Sequence, residues 1–338
     1  MGSHRGTGRG DSLEPDGIVD YSGFPFQELW SGRRRVTEVE QGLVSDLLQR
    51  EDTSRILELG SGFGRISQCI LGMGPEVFLT DMDLASLGGI VVPSPPPAKV
   101  IRVGVNAYHL PFRPMTFTGV VMVRLWHHFS HPSDVLHQIH RVLVPGGFAV
   151  LSVNPVPSVG TLVLGLKSRI RGDAPIPGGL TGDVEDLREI ASDPFPVYAS
   201  AYRSIAGRIR KAGFRLEREL GTGFEEFLVL RRLPRRFYTR LAGSLSRFPG
   251  FPTRFLLLRK GGEMRTPLPP LSDVFACPRC EAPVSASPDD GRTLCPGCGW
   301  ASHPGEGVWD MRYVPPGTRV HRTSHTKEAQ GSRGCAPP

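Results

Sequence analysis

The sequence contains no run of about eighteen apolar residues, which excludes a membrane-spanning helix of ordinary length. Residues 1–10 are polar and basic with no apolar stretch, so they do not read as a secretory leader. Gly6 stands where a myristoylation motif starting at Gly2 needs Ser or Thr. These absences lead to the expectation of a cytoplasmic chain. Cysteine is also scarce, with six among 338 residues. Four of them form two CxxC pairs, and in a reducing compartment that pattern favours a metal over disulfides. Internal repeats are absent as well.

Proline (32) and glycine (41) are on the high side and gather in linkers and tails. The net charge of +7 is unevenly spread. Residues 202–260 hold fifteen Lys and Arg against four Asp and Glu. Such density points to an anionic partner: RNA, a phosphorylated substrate or an anionic membrane surface. Phe237, Leu241, Leu245 and Phe248 recur there at helical spacing among arginines, which predicts a basic amphipathic helix. A core-packed helix with a solvated basic face fits the same pattern.

The apolar pattern predicts a helix from near Thr37, where Thr37 and Glu40 would form a capping box ahead of Val39, Leu43, Val44, Leu47 and Leu48. Buried strands are predicted at 55–59, 77–80, 100–103, 120–123 and 148–153, with helices between them. A helix at 202–212 and strands at 214–220 and 255–258 follow. Alternation of this kind predicts an α/β fold with a parallel, doubly wound sheet. The expected organisation is a tail at 1–17, a domain at 18–262, a linker at 263–273, a cysteine module at 274–314 and a second tail at 315–338. Both tails are expected to be disordered. Within the domain, the Gly- and Pro-rich stretch 155–202 reads as a lid-like insertion.

Glu58-Leu59-Gly60-Ser61-Gly62-Phe63-Gly64 lies between a strand and a helix. Glycines at such a turn let the backbone approach a ligand, and a helix N-terminus would suit an anionic group. Asp81 ends the next strand, placed for ribose hydroxyls. The third glycine follows the second by two residues, unlike the dinucleotide fingerprint GxGxxG. Glu58 would repel a pyrophosphate and attract an ammonium group. The expected ligand is an adenosine carrying an amino-acid tail.

These residues resemble motif I and the acidic loop of class I S-adenosylmethionine-dependent methyltransferases, closest to the type-11 group. Similar elements follow in order: Asn106-Ala107-Tyr108-His109-Leu110-Pro111-Phe112, Leu125-Trp126-His127-His128-Phe129, Arg141-Val142-Leu143-Val144-Pro145-Gly146-Gly147 and Ala212-Gly213-Phe214. The resemblance implies a Rossmann-like seven-stranded sheet with helices on both faces. It implies that Gly60, Ser61, Gly62 and Gly64 wrap the methionine part of S-adenosyl-L-methionine and that Glu58 holds its amino group. Asp81 would bind the ribose, with Met82, Asn106 and Ala107 at the adenine. Asn106 and Thr118 stand where the family usually has Asp; an amide can still bond adenine, and position 118 supports structure. Asp83 is expected to cap a helix. Methyl transfer from a sulfonium needs mainly alignment and exclusion of water. Tyr108, His109, His127, His128 and Tyr202 are candidates for a base, and no catalytic residue is assigned among them. A noncatalytic protein that kept the fold to bind nucleic acid or a partner is the alternative; intact Glu58, Gly60, Gly62 and Asp81 argue against it.

Cys277-Pro-Arg-Cys280 and Cys295-Pro-Gly-Cys298 are two knuckles whose sulfurs can converge on one ion. A four-thiolate site favours structural zinc, with iron the minor alternative. The module lacks a sizeable core, so the metal would supply much of its stability. It resembles the small zinc-binding activator subunits of tRNA, rRNA and release-factor methyltransferases, here fused to the same chain as a zinc ribbon. Cys69 is expected in the core, and Cys335 as a free thiol in the tail.

Overall fold

The computed structural model describes residues 17–96, 98–156, 188–191, 196–223, 251–264, 267–284, 292–305 and 307–322. Strand β1 (Ile18–Asp20) and helices α1 (Phe26–Ser31) and α2 (Arg34–Leu48) come first. Then follow β2 (Arg55–Leu59), α3 (Ser67–Ile70), β3 (Glu76–Asp81), α4 (Leu84–Gly88), β4 (Lys99–Gly104), β5 (Phe117–Met122), α5 (Pro132–Val142) and β6 (Leu143–Val153). A hairpin, β7 (Arg188–Ala191) and β8 (Val197–Ala199), leads to α6 (Tyr202–Lys211), β9 (Phe214–Thr222) and β10 (Thr253–Lys260). Beyond the cysteines lie β11 (His303–Gly305), β12 (Val308–Asp310) and β13 (Val320–Arg322).

The main sheet has the order β11-β12-β4-β3-β2-β5-β6-β10-β9. Strands β2 to β6 pair in parallel, and β10 is antiparallel to both β6 and β9. Seven of the nine strands are those the sequence pattern predicts. The other two, β11 and β12, come from the region after the cysteines and extend the sheet beyond β4.

Side chains on successive strand residues point to opposite faces, and both faces are covered. Ile56, Val150, Phe255 and Leu257 pack on the face of α2 with Val44, Leu47 and Leu48. Leu57, Leu151, Leu256 and Leu258 pack on the other face with Val135, Leu136 and Ile139 of α5 and Ile205 and Ile209 of α6. Burying each such side chain contributes roughly 1.5–3 kcal/mol. The cysteine module joins this second core through Val274, Phe275, Cys277, Cys295 and Met311. It is therefore packed on the sheet domain.

Several local expectations change. The capping box does not form, because α2 starts at Arg34 and leaves Thr37 inside it. Glu40 lies on its buried face and bonds two distant arginines instead. The helix after the glycine turn is a four-residue α3, too short to carry a useful macrodipole. Residues 315–322, placed in the tail by sequence, run on to β13, which pairs in parallel with β1. Most of the insertion at 155–202, the basic amphipathic helix around 237–248 and Cys335 lie outside the described residues. No helix among the described residues is long and apolar enough to cross a membrane.

Candidate active site and four-cysteine centre

The sheet order reverses between β2 and its neighbour β5, and a crevice forms at the carboxyl ends of such strands. A pocket of about 410 Å³ lies there, reached by the loops after β2, β3, β4 and β5 and covered by residues 18–33. Glu58, Gly60, Ser61, Gly62, Asp81, Met82, Asn106 and Ala107 all line it. Gly64 does not stand among the lining residues; a Cβ there would meet Ile90 at 2.8 Å, so this glycine lets the loop close on the core.

The glycine loop is stapled to β3. Gly60 N–H and Ser61 N–H both donate to the Thr80 carbonyl at 2.9 Å. Gly62, at φ 51°, has nothing within 4 Å of where a Cβ would stand. Its N–H donates to Asp81 Oδ2 at 2.7 Å, and Asp83 N–H donates to Oδ1 at 2.9 Å. Ser61 and Ser67 hydroxyls donate to Glu58 Oε2 at 3.1 and 2.6 Å. Burial pushes Glu58 up to about 7 against the bonds from Ser67 and Ser61. Burial likewise pushes Asp81 up to about 6, against the backbone N–H groups that bond it. A cationic ligand would give Glu58 the counter-charge that raises its ionised fraction.

Asn106 is largely engaged already. Its amide donates to the Tyr313 carbonyl at 2.8 Å and its carbonyl accepts from Tyr108 N–H at 3.1 Å. One amide N–H remains for a ligand. Asp83 caps α4 as expected, accepting from Ala85 N–H at 3.0 Å. Thr118 bridges β5 to Arg55 N–H and carbonyl at 3.1 Å each, a structural role. Cys69 donates to the Ile66 carbonyl, and burial pushes its thiol up to about 12.

Of the base candidates, Tyr108, His127 and His128 line the pocket, while His109 and Tyr202 do not. Burial pushes the Tyr108 phenol up to about 12 and lowers His128 to about 4. Burial, then the neighbouring His128, holds His127 well below the usual imidazole range. His127 Nδ1 is buried and has no hydrogen-bond partner among the described residues. Tyr202 instead donates to Glu219 beneath the Arg254 guanidinium.

Sequence reasoning missed the cover of the pocket. Tyr21, Phe24, Phe26 and Trp30 line it from the N-terminal segment. Tyr21 meets the His128 ring edge-on at 4.9 Å between centroids. Three arginines, Arg33, Arg65 and Arg124, also line it and surround Trp30. The available signals were Arg65 directly after Gly64 and the basic run Arg33-Arg34-Arg35 beside a tryptophan.

The four thiols converge. Sγ atoms of Cys277, Cys280, Cys295 and Cys298 all lie within 4.8 Å of one another, with pairs at 3.6 and 3.5 Å. Tetrahedral thiolates about 2.3 Å from zinc stand roughly 3.8 Å apart, so the donor set fits such an ion. Both knuckles share one backbone design. Glu281 N–H donates to the Cys277 carbonyl at 2.8 Å and Gly299 N–H to the Cys295 carbonyl at 3.0 Å. Glu281 and Gly299 both take positive φ, 60° and 71°. The module is pinned to the domain: Ala276 N–H donates to the Pro111 carbonyl, and Arg113 N–H to the Val274 carbonyl. Arg141 bonds the Leu110 and Phe112 carbonyls and pairs with Glu281 at 3.4 Å.

Part of the basic segment is neutralised within the fold. Arg215, Arg218, Arg254 and Arg259 pair with Glu217, Asp46, Glu219 and Glu51.

Comparison with known proteins gives one family match and several structural likenesses. Residues 57–151 match the family described as methyltransferase domain, and they span β2 to β6 and the glycine loop. A search of curated proteins finds no match. Among solved structures, an S-adenosylmethionine-dependent methyltransferase of Thermotoga maritima is 15% identical, with 70% of this chain and 94% of that chain covered and a TM-score of 0.47. The complex between the Haloferax volcanii Trm112 methyltransferase activator and a methyltransferase provides a match at 14% identity, covering 71% and 97%, with a TM-score of 0.45. An S-adenosylmethionine-dependent methyltransferase of Mesorhizobium loti is 15% identical, covering 61% and 90%, with a TM-score of 0.43.

Proposed function

We propose that the chain is an S-adenosyl-L-methionine-dependent methyltransferase carrying a structural zinc ribbon in cis. The observation that carries this reading is the pair of carboxylates, buried Glu58 and half-buried Asp81, at the ends of adjacent strands around the glycine loop of one pocket. Glu58 would hold the donor's ammonium group, and Asp81 the ribose hydroxyls. The backbone of Gly60 to Gly62 would follow the methionine part, with Met82 and Ala107 against the adenine and the free N–H of Asn106 on its edge. The donor supplies an activated methyl group on a sulfonium. This chain's contribution is to orient the acceptor in line with that methyl and to exclude water.

The apolar cover formed by Tyr21, Phe24, Phe26 and Trp30 would limit the access of water once the pocket is occupied. His127, neutral and with no partner for Nδ1 among the described residues, would be the group to accept a proton from a protic acceptor. Cys277, Cys280, Cys295 and Cys298 would hold zinc with no open position, so the metal would cross-link the module and take no part in the transfer.

A transfer assay with labelled methyl donor across RNA, protein and lipid extracts tests the reading. Label should appear in one class and vanish with Asp81→Ala. Unaltered transfer by that variant would overturn it.

A further inference from the structure

Beyond the cysteine module the chain returns to the pocket. After β12, Arg312 pairs with both carboxylate oxygens of Asp310 at 2.8 Å and donates to the Met82 carbonyl at 2.9 Å. The Tyr313 carbonyl accepts from the Asn106 amide at 2.8 Å. Met82 and Asn106 both line the pocket, so residues 312 and 313 brace its rim from outside. A turn follows over Pro315-Pro316-Gly317-Thr318. Thr318 N–H donates to the Pro315 carbonyl at 3.2 Å, and Gly317 takes φ 89°. Proline followed by a glycine of positive φ suits a type II turn, which reverses the chain. The turn delivers β13 to β1.

Strand β1 begins the cover of the pocket, and among the described residues it pairs with no strand but β13. Ile18 pairs with Val320, Val19 with His321 and Asp20 with Arg322. Ile18 N–H donates to the Arg319 carbonyl at 2.8 Å. Gly17 comes so close that a Cβ there would meet the His321 ring at 2.5 Å. Ile18 reaches the core of the sheet domain. Val19 and Tyr21 instead pack with Phe24 and Phe26 in a small cluster of their own. All five side chains line the pocket. The cover thus has packing of its own and is fastened at its start by three residue pairs. Two strands paired over so short a length are marginally stable, so they can part while the nine-stranded sheet stays intact.

We propose that residues 312–322 latch the N-terminal cover over the pocket, and that a bound ligand leaves when β13 parts from β1. One end of the latch is fixed to the rim by Arg312 and Tyr313, and the other end holds β1. A pocket closed in this way exchanges its ligand at the rate of opening and not at the rate of diffusion. The identity of that ligand rests on the reading of the pocket as an S-adenosyl site; the latch itself does not.

Two measurements on the wild type and two variants test this. His321→Pro in the full chain puts at the centre of β13 a residue with no N–H to give to the ladder. A chain ending at Gly317 removes β13 outright. Amide hydrogen exchange without ligand should show residues 18–30 losing protection in both variants, with β2 to β6 unchanged. Stopped-flow tryptophan fluorescence should show S-adenosylhomocysteine leaving both variants at least about tenfold faster, the ratio expected for one or two lost ladder bonds. Unchanged protection of residues 18–30 overturns the latch. So does a loss of protection that extends to β2 to β6, because β13 then supports the whole fold and not the cover. Protection lost without faster release overturns the role of the latch in ligand exit. A folded wild type that binds no S-adenosylhomocysteine overturns the donor reading instead, and hydrogen exchange then decides the latch by itself.

Discussion

At the residue scale, the two pocket carboxylates tie function to pH. Burial raises Glu58 to about 7 and Asp81 to about 6, above their ordinary values. The folded chain therefore binds protons more tightly than the unfolded chain at these groups. Their contribution to stability falls as pH rises from about 4 to about 7. An ammonium group beside Glu58 and hydroxyls on Asp81 favour the ionised forms, so the donor should release protons as it binds. Calorimetry near pH 6.5 in buffers of different ionisation enthalpy should read net proton release for S-adenosylhomocysteine. Net uptake would contradict the assignment of Glu58. These two residues were legible in the sequence because a glycine turn and the end of the next strand are local signals. The arginines around Trp30 were not, since they come from three separate segments that only the fold brings together.

At the element scale, helix α2 shows where a local pattern misleads. Thr37 and Glu40 have capping-box spacing, yet Glu40 sits fully buried between Arg65 and Arg124. Those partners are 25 and 84 residues away, so no window of sequence contains them. Glu40→Gln should cost roughly 3–5 kcal/mol, because removing one partner of a buried pair leaves the other charge uncompensated. Urea denaturation measures this, and a loss below about 1 kcal/mol, as for an exposed pair, would show that the triad is solvated. The strands of the sheet were readable for the opposite reason. Burial on both faces gives continuous apolar runs such as Ile56-Leu57 and Phe255-Leu256-Leu257-Leu258. The three-residue strands β1, β12 and β13 are too short to stand out in the sequence, and β1 with β13 and β12 with β4 are pairings between segments remote in sequence.

At the scale of the whole molecule, the cysteine module and the sheet domain share a core and a sheet. Trp309 and Asp310 of β12 align with Val103 and Gly104 of β4. Arg312 then donates to the Met82 carbonyl at 2.9 Å, beside the pocket. The division at residue 263 that composition suggests is thus a linker in sequence but not a boundary in space. Removal of the proposed zinc with a chelator, or Cys277→Ser, should lower the melting temperature of the whole chain in one transition. Two separate transitions, with the domain's unchanged, would show that module and domain are independent. The central claim, that the pocket is built for an S-adenosyl donor, is tested most directly by calorimetric titration of the purified chain with S-adenosylhomocysteine. The account predicts a single site, with affinity reduced at least about tenfold in Asp81→Ala. No binding by folded wild-type protein, or equal binding by the variant, would contradict it.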